Sequence, residues 1–103
     1  MAETLQKVIL AAGITLLTGT SALAQDDVQK RYQKSCAVCH ANGSANAPKT
    51  GNAEEWQPRL EKGMEALVKS VENGLNAMPP KGMCFDCTAE DYEALILLMS
   101  TSE

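Results

Sequence analysis

The only histidine of the chain directly follows a pair of cysteines, in the sequence Cys36-Ala37-Val38-Cys39-His40. This C-x-x-C-H spacing is the attachment signature of c-type haem. Two thiols three positions apart on a helical turn can form thioethers with both vinyl groups of one porphyrin, and the histidine that follows is then held where its imidazole reaches the iron. The motif predicts one haem c, covalently attached through Cys36 and Cys39, with His40 as a metal ligand.

A second C-x-x-C pair, Cys84 and Cys87, leaves other uses of the four cysteines open. Either pair could form a simple disulfide, and all four thiolates together could hold a zinc ion. The 44 residues between the pairs are a longer spacing than compact zinc ribbons use. A thioredoxin-like redox pair would require a βαβ context. An exported module stapled by zinc on four cysteines therefore stays an alternative to the haem protein.

The second axial ligand of the iron must be another residue type, because His40 is the only histidine. A thioether is the remaining good ligand, and four methionines are candidates: Met64, Met78, Met83 and Met99. The first and last of these fall in apolar helical stripes, which is typical of core residues. Met78 precedes Pro79 and Pro80, which restrict the backbone around the sulfur and lower the entropic cost of ligation. We predict Met78 as the second metal ligand, with an open sixth position as the alternative.

The first 24 residues have the pattern of a secretory signal peptide. Lys7 precedes a ten-residue apolar stretch from Val8 to Leu17, and Ala22-Leu23-Ala24 fits a signal-peptidase site. The stretch is shorter than the roughly 20 residues that span a bilayer. The sequence predicts a cleaved signal peptide over residues 1–24, one mature domain over residues 25–103, and export to the periplasm.

Charge and size exclude some function classes. The chain of 103 residues has 9 basic and 13 acidic side chains, a net charge of -4, which disfavours nucleic-acid binding. A domain this small is marginal on its own hydrophobic core and commonly relies on a crosslink, a metal or a cofactor.

Apolar periodicity predicts an all-α fold, since no segment alternates as a strand does. Helices are predicted over residues 26–37, over 54–62 with Pro58 tolerated only near the first turn, from Met64 to a left-handed Gly74 cap, and from a Thr88/Asp91 capping box to about Ser100. Residues 41–53 lack bulky side chains and are dense in turn formers, which predicts a loop able to lie against a flat group. Residues 76–87 hold two prolines, a glycine and two cysteines, so a structured loop is expected there.

Together these motifs resemble a class I c-type cytochrome, and more narrowly the cytochrome c(5) group. The resemblance covers nearly the whole mature chain and is carried by Tyr32, the C-x-x-C-H motif, Ala47-Pro48-Lys49, Trp56-Gln57-Pro58-Arg59, Lys62-Gly63 and Met78-Pro79-Pro80-Lys81-Gly82-Met83-Cys84-Phe85-Asp86-Cys87. It implies a small class I cytochrome c fold, with about four helices wrapped around one covalently bound haem.

The resemblance also implies roles for individual residues. His40 and Met78 are the axial ligands, and the Pro48 carbonyl accepts the other ring N–H of His40, as a ligating histidine usually requires. Trp56 and Arg59 lie near a haem propionate, although the residues alone also allow core packing for the tryptophan and a solvated charge for the arginine. A disulfide between the second pair of cysteines is implied as well.

The implied function is that of a periplasmic electron carrier with His/Met ligation, not an enzyme. Its expected partners are redox proteins, either membrane or periplasmic electron donors and acceptors such as a terminal oxidase or reductase. No nucleic acid and no small-molecule substrate are expected, and the chain is predicted to be a monomer or a weak dimer. Lys49 and Lys81, in the loops after the two iron ligands, are expected at a docking rim. An exported haem protein with an open sixth site, binding ligands or acting as a peroxidase, is the alternative.

The signal-peptide interpretation predicts the mass of the exported protein. Intact-mass analysis of periplasmic material should give the chain from Gln25 plus one haem, because the short apolar stretch and the small residues before Gln25 favour cleavage. A mass that retains residues 1–24 would indicate a membrane-anchored protein instead.

Overall fold

The computed structural model describes Gly13 and residues 20–101. The predicted signal peptide therefore falls largely outside the described residues, apart from Gly13 and its last five residues. The described helices are α1 (Thr20–Arg31), α2 (Ala37–His40), α3 (Ala53–Leu60), α4 (Met64–Asn73) and α5 (Ala89–Ser100). Short 3-10 turns cover Ser44–Asn46 and Pro80–Met83. Within these residues there is no strand, only an isolated bridge between Leu75 and Met78, so the predicted all-α class is confirmed.

The first helical segment is longer than predicted. A π-helical turn over Tyr32–Cys36 joins α1 to α2, so the helical path continues from Thr20 to His40. The described helix begins at Thr20, six residues ahead of the predicted start and within the predicted signal peptide. Extra-wide turns of this kind are frequent at functional sites, and this one ends on the first cysteine of the C-x-x-C-H motif.

Two predictions about the middle helices need correction. Pro58 lies in the second turn of α3, not the first. Gly74 ends α4 with φ 87° and ψ 155°, which is a positive φ without the left-handed helical ψ that was expected. The extended ψ turns the chain directly into the Leu75–Met78 bridge. A side chain there would be strained, since φ is positive and a Cβ on Gly74 would lie 3.0 Å from the Met78 carbonyl oxygen.

Helix α5 supplies most of the hydrophobic core. Its predicted capping box is present: Thr88 Oγ1 accepts from the Asp91 N–H at 3.2 Å, and the Asp91 carboxylate accepts from the Thr88 N–H at 2.8 Å. The buried residues form one cluster: Tyr32, Trp56, Cys84, Tyr92, Leu95, Ile96 and Met99. Partly buried side chains of α4 pack against this cluster, so α4 and the first helical segment both lie against α5.

None of the helices in the described part of the chain has the length and apolar character that a membrane span requires.

The capping box predicts a measurable loss of stability when the hydroxyl is removed. Thr88→Ala should lower the free energy of unfolding by about 1 kcal/mol, because the Asp91 N–H loses its acceptor at the start of α5. Thr88→Ser, which keeps the hydroxyl, is the control and should lose much less. Urea unfolding of the three proteins measures the difference, and equal midpoints for both variants would contradict the role of the cap.

Candidate metal centre

The two cysteines of the first motif lie on the continuous helical segment. Cys36 ends the π-helical turn and Cys39 lies in α2, so their side chains are one helical turn apart. Both are free thiols and both are half-buried. Burial raises the pKa of the Cys36 thiol to about 11, which keeps it protonated at neutral pH. The two cysteines are thus one helical turn apart and outside any disulfide, as two thioether bonds to one porphyrin require.

His40 is buried and held by its ring nitrogen. Its Nδ1 lies 2.8 Å from the carbonyl oxygen of Pro48, and only 8 % of the residue is exposed. A carbonyl oxygen can only accept, so Nδ1 carries the proton and donates. The lone pair then lies on Nε2, which is the state that binds a metal. The contact that the resemblance implied between His40 and Pro48 is therefore present.

Trp56 fixes the other side of the same imidazole. The rings of His40 and Trp56 stack with centroids 5.7 Å apart and planes 23° apart. The indole N–H donates to the carbonyl of Lys49 at 2.8 Å. The carbonyls of two consecutive loop residues, Pro48 and Lys49, therefore accept hydrogen bonds from the rings of His40 and Trp56. The Trp56 donor is thus used within the protein. Arg59, one turn further along α3, donates from Nη1 to the Glu55 carbonyl.

Met78 is carried by a tight turn after α4. Its N–H donates to the Leu75 carbonyl at 2.9 Å, and the Leu75 N–H donates to the Met78 carbonyl at 3.0 Å. The methyl group of Met78 lies close to Gly82, where an added Cβ would come within 3.2 Å of it and 3.6 Å of Val71. The following loop therefore folds back over the Met78 side chain, and glycine allows that approach.

The second pair of cysteines forms a disulfide, Cys84–Cys87, with Cα atoms 5.5 Å apart. The disulfide that the resemblance implied is confirmed. Because the bridge uses two of the four thiols, the alternative of a zinc ion on four cysteines is wrong. Thr88, not a histidine, follows this pair, so only Cys36 and Cys39 remain for thioether bonds.

Arg31 contacts the disulfide, and sequence reasoning gave it no role. Its Nη1 lies 3.3 Å from Cys87 Sγ and 3.8 Å from Cys84 Sγ. The same guanidinium lies 3.0 Å from an Asp27 carboxylate oxygen and 3.5 Å from one of Asp86. The four-residue spacing of Asp27 and Arg31 was the one sequence signal for this cluster. Arg31 thereby joins α1 to the loop that follows Met78.

Two further hydrogen bonds anchor this loop. Tyr92 of α5 donates its buried hydroxyl to the Cys84 carbonyl at 2.9 Å, and burial is the main cause that raises the pKa of this phenol. Ser35 donates to the Met83 carbonyl at 3.3 Å. Since Ser35 precedes Cys36, the segment before the first motif and the loop after Met78 lie side by side.

This donor set fits an iron porphyrin. Two free thiols stand one turn apart, the next residue presents an imidazole with its Nε2 lone pair free, and a thioether stands in a constrained loop. The apolar side chains of α4 are only partly buried by protein: Met64, Leu67, Val68 and Val71. Apolar side chains of this kind suit the faces of a macrocycle.

Comparisons with known proteins agree with this chemistry. Residues 23–99 match a family model described as cytochrome C oxidase, cbb3-type, subunit III. The chain is 42% identical over 84 residues to cytochrome c5 of Azotobacter vinelandii, covering 80% of this chain and 98% of that protein. Among solved structures it is similar to a mono-heme ferrocytochrome c from Shewanella putrefaciens, with a TM-score of 0.66, 56% identity, and coverage of 74% of this chain and 94% of that one.

Another similar structure is the cytochrome c in an electron transfer complex with nitrite reductase. It has a TM-score of 0.64 and 40% identity, with coverage of 70% of this chain and 88% of that one.

The disulfide predicts local rigidity in the loop that carries Met78. In Cys84→Ser/Cys87→Ser, the amide protons of Met78 and Gly82 should exchange up to about 30-fold faster, because closing so short a loop is worth about 2 kcal/mol. Amide hydrogen exchange followed by NMR measures this, with the amides of Leu95 and Ile96 in α5 as the internal control. Equal acceleration in the loop and in α5 would mean that the bridge stabilises the whole protein instead.

Proposed function

Because this chain belongs to the cytochrome c family, we propose that it is an exported electron carrier and not an enzyme. Its fold is that of the small class I cytochromes c, and its cofactor is one haem c. The observation that carries the proposal is the hydrogen bond from His40 Nδ1 to the Pro48 carbonyl. In the neutral imidazole this bond places the lone pair on Nε2, and the histidine directly follows the two cysteines of the motif.

The residues that would hold the haem follow from their chemistry. Cys36 and Cys39 would supply the sulfur atoms of two thioether bonds, and His40 would be one protein ligand of the iron. Met78 would be the second. Its backbone is held by the two hydrogen bonds with Leu75.

The surrounding residues hold the histidine and the haem periphery. Pro48 fixes the tautomer of His40, and Trp56 packs on its ring. The Arg59 guanidinium lies on the α3 helix that bears Trp56, and we propose that it neutralises a haem propionate. Because the indole N–H of Trp56 is used by Lys49, the contribution of Trp56 near the propionate is packing.

Two protein ligands favour electron transfer over catalysis. When bound, the haem supplies a one-electron ferric/ferrous couple. With His40 and Met78 as its two protein ligands, the iron would have no open position for a substrate. Thioether ligation also raises the reduction potential relative to two histidines, and this suits a donor to an acceptor of higher potential.

The hydrogen bonds around both ligands also limit movement when the oxidation state changes. His40 is held at Nδ1 and at its backbone carbonyl, which accepts from the Thr50 N–H at 2.8 Å. The loop after Met78 is fixed by the disulfide and by the Tyr92 hydroxyl. A site prepared in this way needs little rearrangement between the two oxidation states.

We place the carrier in the periplasm, with other redox proteins as its partners. The predicted signal peptide over residues 1–24 supports export, and covalent attachment suits a small exported domain. One similar cytochrome c has been solved in an electron transfer complex with nitrite reductase, which supports docking to a protein partner. A monomer or a weak dimer is sufficient for this role.

Replacing the proposed methionine ligand tests the assignment. Met78→Ala should convert a six-coordinate low-spin visible spectrum into a high-spin one, and the ferrous protein should then bind carbon monoxide. Met64→Leu is the matched control, because it replaces a partly buried methionine of α4 by a side chain of similar volume, and its spectrum should stay low-spin.

The same spectra distinguish the alternatives. A high-spin spectrum in the wild-type protein would favour the alternative with an open sixth site. A low-spin spectrum for Met78→Ala together with a high-spin spectrum for Met64→Leu would identify Met64 as the ligand instead.

A further inference from the structure

The carboxylate of Glu55, in the first turn of α3, faces the loop that holds His40. Its Oε1 accepts from the backbone N–H of Lys49 at 3.3 Å, and its Oε2 accepts from the side-chain amide of Asn52 at 2.6 Å. The Glu55 N–H donates in turn to the Asn52 Oδ1 at 3.1 Å, which makes Asn52 the N-cap of the helix. Asn52 therefore fixes the carboxylate where it meets the loop.

The N–H that donates to Glu55 belongs to the peptide group that holds the imidazole. A peptide group joins the carbonyl of one residue to the N–H of the next, so the Pro48 carbonyl and the Lys49 N–H are two ends of one delocalised unit. The Pro48 oxygen accepts from His40 Nδ1 at 2.8 Å. A continuous line of hydrogen bonds therefore runs from the carboxylate, through one peptide group, to the ring of the proposed iron ligand.

Hydrogen bonds in such a line strengthen one another, by about 10–30% per bond. A charged acceptor makes a stronger hydrogen bond than a neutral one, and at the N–H end it shifts electron density of the peptide group towards the carbonyl oxygen. The Pro48 oxygen is then a better acceptor for the Nδ1–H of His40. An imidazole whose N–H is held more strongly is a more basic metal ligand at Nε2.

The backbone of residue 49 is also held at its carbonyl. The Lys49 carbonyl accepts from the Trp56 indole N–H at 2.8 Å and from the Asn52 backbone N–H at 3.1 Å. The Lys49 side chain lies along Gly43, where an added Cβ would come within 3.0 Å of it. The carboxylate of Glu55 thus meets a peptide group that other contacts have already oriented.

The salt bridges found within residues 20–101 do not include Glu55. The nearby Arg59 donates to its backbone carbonyl, and not to its carboxylate. The charge of the carboxylate is therefore left to act on the peptide group. Glu54, the preceding residue, is exposed and lies outside the hydrogen-bonded line, so it provides the same charge without the contact.

We propose that Glu55 is a positioning residue that tunes the reduction potential of the haem through the Pro48–Lys49 peptide group and His40. This inference rests on the proposed function, since it names a residue that sets the property on which an electron carrier depends. A more basic histidine ligand and a nearby negative charge both favour the ferric state, which has one positive charge more than the ferrous state. The carboxylate of Glu55 therefore lowers the potential, whereas the thioether ligand raises it.

A substitution that keeps the shape of the side chain tests this role. Reduction adds one electron to the ferric haem and transfers no proton. In Glu55→Gln the equilibrium constant for this step should rise about threefold, which is about 28 mV at 59 mV per tenfold change. Spectroelectrochemical titration of the haem-loaded chain measures the constant.

Glu54→Gln is the matched control, because it removes the same charge from the neighbouring residue. It should change the equilibrium constant far less than Glu55→Gln does. Equal changes in the two variants would overturn the proposal, since the loss of charge alone would then account for the effect.

NMR of the ferrous, diamagnetic protein follows the line of hydrogen bonds directly. In Glu55→Gln the Lys49 amide proton and the His40 Nδ1 proton should both move upfield, because both hydrogen bonds weaken. Glu54→Gln should leave both resonances in place. A Lys49 resonance that moves while the His40 resonance stays would overturn the proposal, because the effect would then end at the peptide group.

A second variant separates charge from contact. Glu55→Asp keeps the charge on a side chain that is one methylene shorter, and the Lys49 amide resonance reports whether the hydrogen bond persists. The potential should follow that resonance: near wild type where the bond is kept, and near Glu55→Gln where it is lost. A potential that does not follow the Lys49 resonance would contradict the proposed role.

A loss of stability must be distinguished from tuning. Thr88→Ala weakens the start of α5 without touching the line from Glu55 to His40, so it should leave the potential and the His40 resonance unchanged. If it moved both as far as Glu55→Gln does, Glu55 would have only a structural role.

The visible spectrum of each haem-loaded variant is recorded first. A wild-type chain without a low-spin, reducible haem would overturn both the electron-carrier function and the role of Glu55. A wild-type chain with such a haem, together with an unchanged potential in Glu55→Gln, would overturn the role of Glu55 alone.

Discussion

The hydrogen bond between His40 Nδ1 and the Pro48 carbonyl is the constraint on which the site depends. It selects the tautomer that leaves Nε2 free, and it requires the 41–53 loop to return over the histidine. Other contacts hold that loop in place: the Thr50 N–H donates to the His40 carbonyl, the Tyr32 hydroxyl donates to Thr50, and the Gly51 N–H donates to the Met99 carbonyl in α5. The core helix thus positions the loop, and the loop positions the imidazole.

The methionine side of the site is built by a different route. No regular helix carries Met78, and its position comes from a two-residue turn, two prolines and the close approach of Gly82. Such a segment has few buried apolar contacts of its own. Its order comes from the disulfide, from Arg31 and from the Tyr92 hydroxyl, each of which fixes the end of the loop far from Met78. Crosslinking is effective here because the core is too small to hold a long loop by packing.

Patterns of local chemistry could be read from the sequence, whereas contacts between distant segments could not. The helix from the Thr88/Asp91 capping box has its predicted bounds, since both ends depend on neighbouring residues. The first helix extends beyond its prediction because the π-helical turn over Tyr32–Cys36 depends on packing, which apolar periodicity does not report. Arg31 was missed for the same reason: its sulfur contacts lie 53 and 56 residues away in the chain. Gly74 was correctly placed at the end of α4, but its ψ depends on the turn that follows.

The segment from Met78 to Cys87 carries the proposed ligand at one end and the disulfide at the other. Met83 and Phe85, between these ends, are exposed apolar side chains. A flexible segment would lose conformational entropy whenever a partner docked on it, and this cost weakens binding. The disulfide and the Arg31 contacts fix the same residues before any partner arrives. The rigidity that suits a weak thioether ligand therefore comes from one disulfide and a few polar contacts, in a domain with little core to spare.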